Sequence, residues 1–195
     1  MPARHEANDK VVDLLVDRWS PRSFDQSEMP EADLDAIFEA AGWAPSSYNV
    51  QPWRFLYARR GDTNWEQFTQ LINDFNQKWA TDASVLIFVL SHKVSSPPGG
   101  EPEPNRTHSF DAGAAWQNMA LQATAMGYHA HGMGGIHHDK IREELSVPDE
   151  YRIECGVAIG TQAPAEQLPE DLQDEEKKSG RNPVSEFAFA GAFPS

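Results

Sequence analysis

Residues 44–53 read APSSYNVQPW, a polar stretch bracketed by Pro45 and Pro52, between a helical pattern and a strand pattern. Each proline fixes its own φ and pushes the residue before it toward extended backbone, so the turn is stiff. Ser46, Ser47, Asn49 and Gln51 offer donors and acceptors without charge. Two readings fit. The stretch is a capped turn whose polar groups serve only their own backbone. Alternatively it is a rigid, neutral loop that holds a ligand presenting both kinds of group, such as a heterocycle or a polyol.

Working outward, MPEADLDAIFEAAGWA precedes the loop. Pro30 starts a helix there, and Leu34, Ile37, Phe38 and Ala41 fall on one face. Gly42 and Pro45 close it. After the loop, WRFLYARRGD reads as a strand ending in a Gly-Asp turn. WEQFTQLINDFNQKW then spaces Phe68, Leu71, Ile72 and Phe75 for one helix. ASVLIFVLSH is a continuous apolar run, a central strand buried on both faces. Residues 94–107, VSSPPGGEPEPNRT, read as a surface loop. DAGAAWQNMALQATAMG (111–127) is a helix rich in small residues, hence central or at a subunit contact. YHAHGMGGI is a short strand with a Gly turn, HHDKIREELSVPDEY a helix stopped by Pro148, and RIECGVAIG a further strand. Near the N-terminus, VVDLLVDR predicts a first helix over 8–17. DLQDEEKK reads as a solvated segment. Phe187, Phe189 and Phe193 in the tail SEFAFAGAFPS should dock, either on the chain's own core or on a partner.

This strict alternation admits a doubly wound parallel sheet. The dinucleotide fingerprint fails, however: in GMGGIH, His137 stands where the third glycine belongs. The chain has 195 residues, which fits one domain with a sizeable core. Its formal charge of −14 argues against nucleic-acid or anionic-membrane partners. Any bound anion must therefore be held by a few local cations. Cys155 is the only cysteine, which excludes an intrachain disulfide and fits a reducing compartment. The charged N-terminus does not read as a signal peptide, and no apolar run is long enough for a membrane span. A cytoplasmic location is expected.

RWSPR (18–22) places two guanidiniums four residues apart around a serine hydroxyl. That is a good phosphate clamp; ordinary surface ion pairs are the alternative. RWSPRSF, a helix, and then APSSYNVQPWRF resembles the FMN-dependent nitroreductase family. Its members carry Arg-x-Ser-x-Arg, then a helix ending in Ala-Pro-Ser-Ser-x-Asn-x-Gln-Pro-Trp before a strand. DASVLIFV is similar to the family's central strand and DAGAAWQNMALQATAMGYHA to its long core helix. GMGGI resembles the flavin-edge turn, VPDEYRIECGVAIGTQAP the closing strand, and GRNPVSEF the C-terminal Arg-x-Pro-x-x-Glu. The resemblance spans about residues 11–190.

The resemblance implies an α+β fold with a mixed, mostly antiparallel central sheet flanked by helices. It implies one domain over 1–195 in an obligate homodimer, with FMN at the subunit interface and tail 185–195 docked on the partner. Arg18 and Arg22, with Trp19 and Ser20, would meet the phosphate, ribityl chain or pyrimidine carbonyls, and Arg181 would add a phosphate cation. Members often carry a further basic residue where this chain has Ser179, with Lys178 beside it. Pro45, Ser46, Ser47 and Asn49 would line the flavin from the opposite subunit, while Gln51 braces the loop. Asn76 and Lys78 would lie near the pyrimidine side, with Trp79 the alternative at the lysine's place. Met133, Gly134 and Gly135 would form the flavin-edge turn, whose backbone N–H supports flavin N5.

The implied activity is FMN-dependent, NAD(P)H-driven reduction of nitroaromatics, quinones or similar acceptors by ping-pong hydride transfer, with no indispensable side-chain acid or base. A dehalogenase or flavin-destroying enzyme on the same scaffold, or a non-catalytic flavin-binding dimer, remains the alternative. His129, His131, His137 and His138 lie close in sequence, but with no cysteine to help and a Gly turn between the pairs they read as surface or supporting residues, not metal ligands. No Gly-x-Ser-x-Gly elbow supports a hydrolase. Cys155, inside an apolar strand, reads as a buried, inert thiol.

Overall fold

The computed structural model describes residues 8–96 and 100–194. The first seven residues, residues 97–99 of the 94–107 loop, and Ser195 lie outside the described residues. In chain order the elements are α1 (Asp13–Asp17), α2 (Glu31–Gly42), β1 (Trp53–Arg59), α3 (Trp65–Gln70), α4 (Asp74–Ala80), β2 (Val85–His92), β3 (Val94–Ser95), β4 (Glu103–Pro104), α5 (His108–Ala125), β5 (His129–Met133), α6 (His138–Glu144), β6 (Tyr151–Gly160) and α7 (Glu170–Gln173).

The main sheet has the order β1-β2-β6-β5, and every neighbouring pair in it runs antiparallel. The doubly wound parallel alternative is thereby excluded. β2 shows why its apolar run is continuous. Leu86, Phe88 and Leu90 enter one core with Phe24, Phe68, Trp79 and Ile141. Val85, Ile87 and Val89 enter the other, with Leu34 and Ile37 of α2 and Ala115, Met119 and Ala123 of α5. Side chains alternate along a strand, so a strand covered on both faces needs apolar residues at every position.

α5 buries its alanines against α2 and the sheet. Small residues there let the two helices and the strands approach closely. Its exposed side carries Gly113, Gln117 and Phe110, and Phe110 is 82% exposed. Tyr128, just after α5, donates its hydroxyl to Asp33 of α2 at 2.6 Å, which raises its pKa to about 12.

Several elements differ from the sequence reading. The expected helix through 65–79 is two helices. Ile72 leaves the helical path to bridge Ile136, and Asn73 caps α4 by accepting from the Asn76 N–H at 3.0 Å. The first helix covers only Asp13–Asp17, with Val12, Leu15 and Val16 exposed. The 94–107 loop contains the two-residue ladder of β3 with β4. The tail forms a single 3-10 turn at Val184–Glu186, and Phe187, Phe189 and Phe193 remain exposed. They do not enter the chain's own core. No helix among the described residues is long and apolar enough to cross a membrane.

Candidate functional site

Two of the cations expected at a phosphate, Arg18 and Arg181, lie near each other. Arg18 caps the end of α1 and reaches Ser20 Oγ at 3.4 Å. Burial, and then the neighbouring Arg181 guanidinium, lower the Arg18 pKa. Arg181 therefore arrives beside Arg18 from the C-terminal segment. Arg18, Arg22 and Arg181 form no ion pair among the described residues, in a chain of formal charge −14. Arg22 Nε is buried and has no hydrogen-bond partner. Lys178 contributes a further cation, 3.7 Å from Asp17.

The 18–23 segment is held against the sheet edge from two sides. Both carboxylate oxygens of Glu176 accept the Arg22 N–H at 2.9 Å, and Oε1 also accepts the Ser23 N–H at 2.9 Å. From β5, His131 Nδ1 lies 2.9 Å from the Pro21 carbonyl. A carbonyl only accepts, so that nitrogen carries the proton. The His131 ring packs on Trp79 at 4.5 Å, and His129 meets Trp19 edge-on at 6.3 Å. Burial lowers the pKa of both histidines. These half-buried imidazoles flank the arginine segment, and burial disfavours their charged form.

β5 ends at Met133, which is buried, and Gly134 follows with nothing within 4 Å of the position its Cβ would take. Gly135 is the opposite case. A Cβ there would lie 2.5 Å from Asn73 Nδ2 and 2.6 Å from Asn76 Nδ2. The Gly135 carbonyl accepts the Asn73 N–H and Asn76 Nδ2, each at 3.0 Å. Asn76 is therefore a brace of this turn. Lys78 is directed elsewhere and pairs with Asp171 at 2.8 Å.

The 44–53 loop is strained as well as stiff. Tyr48, Asn49 and Gln51 have φ of 48°, 56° and 51°, the left-handed region. For non-glycine residues this is unfavourable by roughly 1–2 kcal/mol each, less for asparagine. Internal bonds hold it: the Gln51 N–H to Ser46 Oγ at 3.0 Å, and Gln51 Nε2 to the Asn49 carbonyl at 3.2 Å. Gln51 thus braces the loop as expected. Pro45 and Asn49 are exposed, Ser46 and Ser47 half-buried, and Tyr48 is 92% exposed.

Within one chain the two halves of the expected site do not meet. The loop feeds β1 and the arginine segment lies along β5, and these are the two edges of the sheet. Three strand spacings separate them, about 14 Å. No hydrogen bond or ion pair joins loop 44–51 to 18–22 or to 129–135 among the described residues.

The profile of the Nitroreductase family matches residues 15–161. The chain belongs to the nitroreductase family. The protein DrgA of Synechocystis is 33% identical over 179 residues, 77% of this chain and 83% of DrgA. The oxygen-insensitive NADPH nitroreductase of Helicobacter acinonychis is 28% identical, covering 78% of this chain and 87% of its own. The crystal structure of an oxidoreductase containing FMN is 50% identical, with a TM-score of 0.93 over 97% of this chain and 96% of that one.

The donor set of this nitroreductase-family oxidoreductase fits FMN. The neighbouring guanidiniums of Arg18 and Arg181, without ion pairs among the described residues, suit a phosphate. The open backbone at Gly134 suits close approach of a flat ring. Sequence reasoning missed Glu176 and Asn73. Asn73 had a signal, an asparagine just ahead of a helical run, whereas nothing in DLQDEEKK singled out Glu176. No group of three metal-ligating side chains occurs among the described residues.

Cys155 is half-buried, and burial, then the Glu154 carboxylate, raise its pKa to about 11. The thiolate is the nucleophile, so alkylation by iodoacetamide at pH 8 should be about a hundredfold slower than for a free thiol. The rate should rise with pH through 8–10. Mass spectrometry of intact protein against urea-unfolded protein reads this directly, and equal rates in the two would refute it.

Proposed function

We propose that this protein is an FMN-dependent NAD(P)H oxidoreductase that reduces nitroaromatics, quinones or similar electron-poor conjugated acceptors. The observation that carries the reading is the Arg18 guanidinium beside Arg181, with Arg22 on the same segment along the β5 edge that leads to Gly134, none of the three ion-paired among the described residues. FMN, when bound, supplies the hydride chemistry that links a reduced nicotinamide to the acceptor. Arg18, Ser20 and Arg181 would hold its phosphate end, with Trp19 beside them. Arg22 would reach the ribityl or pyrimidine oxygens. Met133, Gly134 and Gly135 would form the backbone rim, kept in shape by Asn76. No side chain at this rim is an acid or base, so the protein's part is to bind, orient and exclude water.

A second copy completes the site in this reading. Pro45, Ser46, Ser47 and Asn49 would come from the partner, because within one chain they sit at the other sheet edge. The exposed phenylalanines of the tail and the exposed Phe110 supply apolar surface for that association. Donor and acceptor would use one slot in turn.

The test is anaerobic titration of the purified protein. A yellow protein that bleaches on addition of NADH or NADPH, and recovers its colour with a nitroaromatic or a quinone, is the expected result. Colourless protein that refuses added FMN overturns the reading. A yellow protein that neither nicotinamide bleaches is a flavin binder without this activity.

A further inference from the structure

Asp111 is a buried carboxylate that the proposed chemistry does not use. It lies in the first turn of α5, is 3% exposed, and pairs with no lysine, arginine or histidine among the described residues. A buried charge without a counter-ion is unfavourable unless hydrogen-bond donors surround it. Two donors do so. Thr107 Oγ1 donates to Asp111 Oδ2 at 2.9 Å, and the Ser47 N–H donates to the same oxygen at 3.2 Å. The position near the start of an 18-residue helix also favours a negative charge.

Thr107 is fixed in turn. Its N–H donates to Asn105 Oδ1 at 3.1 Å, its one hydroxyl proton goes to Asp111, and Asn105 is itself buried. Asp111 is therefore a rigid acceptor presented by the core helix to a loop. That loop holds Tyr48, Asn49 and Gln51 in left-handed backbone, a shape that needs outside support. Among the described residues, the other hydrogen bonds to its 46–51 backbone come from the loop itself or from Arg54, just beyond it.

We infer that Asp111 is a positioning residue, which fixes the flavin-facing loop through the Ser47 N–H and so sets the geometry that the loop presents to the cofactor. The inference rests on the FMN reading above. An asparagine would be the cheaper buried residue, but only the carboxylate makes this hold charge-assisted.

The test uses a double-mutant cycle on full-length apoprotein, read by quenching of FMN fluorescence and by the visible spectrum of the bound flavin. Asp111→Ala removes the acceptor. Ser47→Pro removes the donated N–H and the Ser47 hydroxyl, and turns its ring toward Asp111 Oδ2. The backbone itself accepts proline there, because Ser46 is extended (φ −145°, ψ 155°) and Ser47 opens a 3-10 turn, and Asp111→Ala in the double variant makes room for the ring. Ser47→Ala controls for the hydroxyl. Asp111→Ala should weaken FMN binding about tenfold and alter the bound-flavin spectrum. Ser47→Pro should do the same, and the double variant should be no worse than either single one. Asp111→Asn, whose amide oxygen still accepts, should recover most of the affinity. Asp111→Ala binding FMN as tightly as the wild type, with an unchanged spectrum, overturns the inference. So do additive losses in the cycle. If Asp111→Ala does not fold, Ser47→Pro against Ser47→Ala decides alone, and equal affinities overturn it. A wild-type protein that refuses FMN overturns the functional reading, and this inference with it.

Discussion

Arg18→Ala is expected to release FMN from the protein while leaving turnover of the residual holoenzyme nearly unchanged. Losing a charge-assisted bond to phosphate is worth about 1.5–3 kcal/mol, or roughly 10–100-fold in the dissociation constant. The structure adds a second, opposite expectation. Arg18 is half-buried beside Arg181, and both burial and that neighbour oppose its charge. Removing it relieves like-charge repulsion, so the melting temperature of the apoprotein should hold or rise. The added stability that FMN gives should shrink, because that term depends on ligand concentration over its dissociation constant. A purely structural role would lower the apoprotein's stability and FMN affinity together. Arg18→Lys should recover part of the affinity, since a point charge replaces a fork. Fluorescence titration and thermal melts with and without FMN measure both effects. Unchanged FMN affinity in Arg18→Ala would remove the phosphate assignment.

Much of this was legible in the sequence because local patterning and tertiary packing agreed. β2 announced itself by apolar residues at every position, and the two cores explain that demand. α2 followed from Pro30 and the spacing of Leu34, Ile37 and Ala41, all of which are buried. RWSPR and the Pro-bracketed loop stood out because their residue types are unusual together. The features that stayed hidden depend on long-range partners. Helical spacing continues through Leu71 and Ile72, yet the chain breaks there: the Asn73 side chain caps α4, and Ile72 finds a partner at Ile136. Glu176 sits in a run of charges that reads as solvated, and only the fold brings it to the Arg22 and Ser23 N–H groups. The left-handed backbone at Tyr48 has no residue-type signal, unlike a glycine. Asp111 looks like any acid at the start of a helix until the Ser47 loop folds over it.

The sheet order makes the second strong prediction, on mixed dimers. Arg18 serves the β5 edge and Asn49 the β1 edge, so under the proposed function a site built from both draws on two chains. Asn49→Gly removes the side chain while keeping the φ of 56° accessible. Homodimers of Arg18→Ala, and homodimers of Asn49→Gly, have a lesion in every site. Both should bind FMN weakly, by about tenfold or more. A mixed dimer is different. One of its sites takes Arg18 from the Asn49→Gly chain and Asn49 from the Arg18→Ala chain, and so carries no lesion. Its other site carries both. Differently tagged chains, co-expressed and purified through both tags, should therefore bind one FMN per dimer with wild-type affinity and bleach with the nicotinamide at that site alone. If loop and arginines instead served one flavin within one chain, each site of the mixed dimer would carry a single lesion and no tight class would appear. A titration with only weak sites thus rules out the shared architecture, and a monomeric wild-type protein rules it out before any mutation is made.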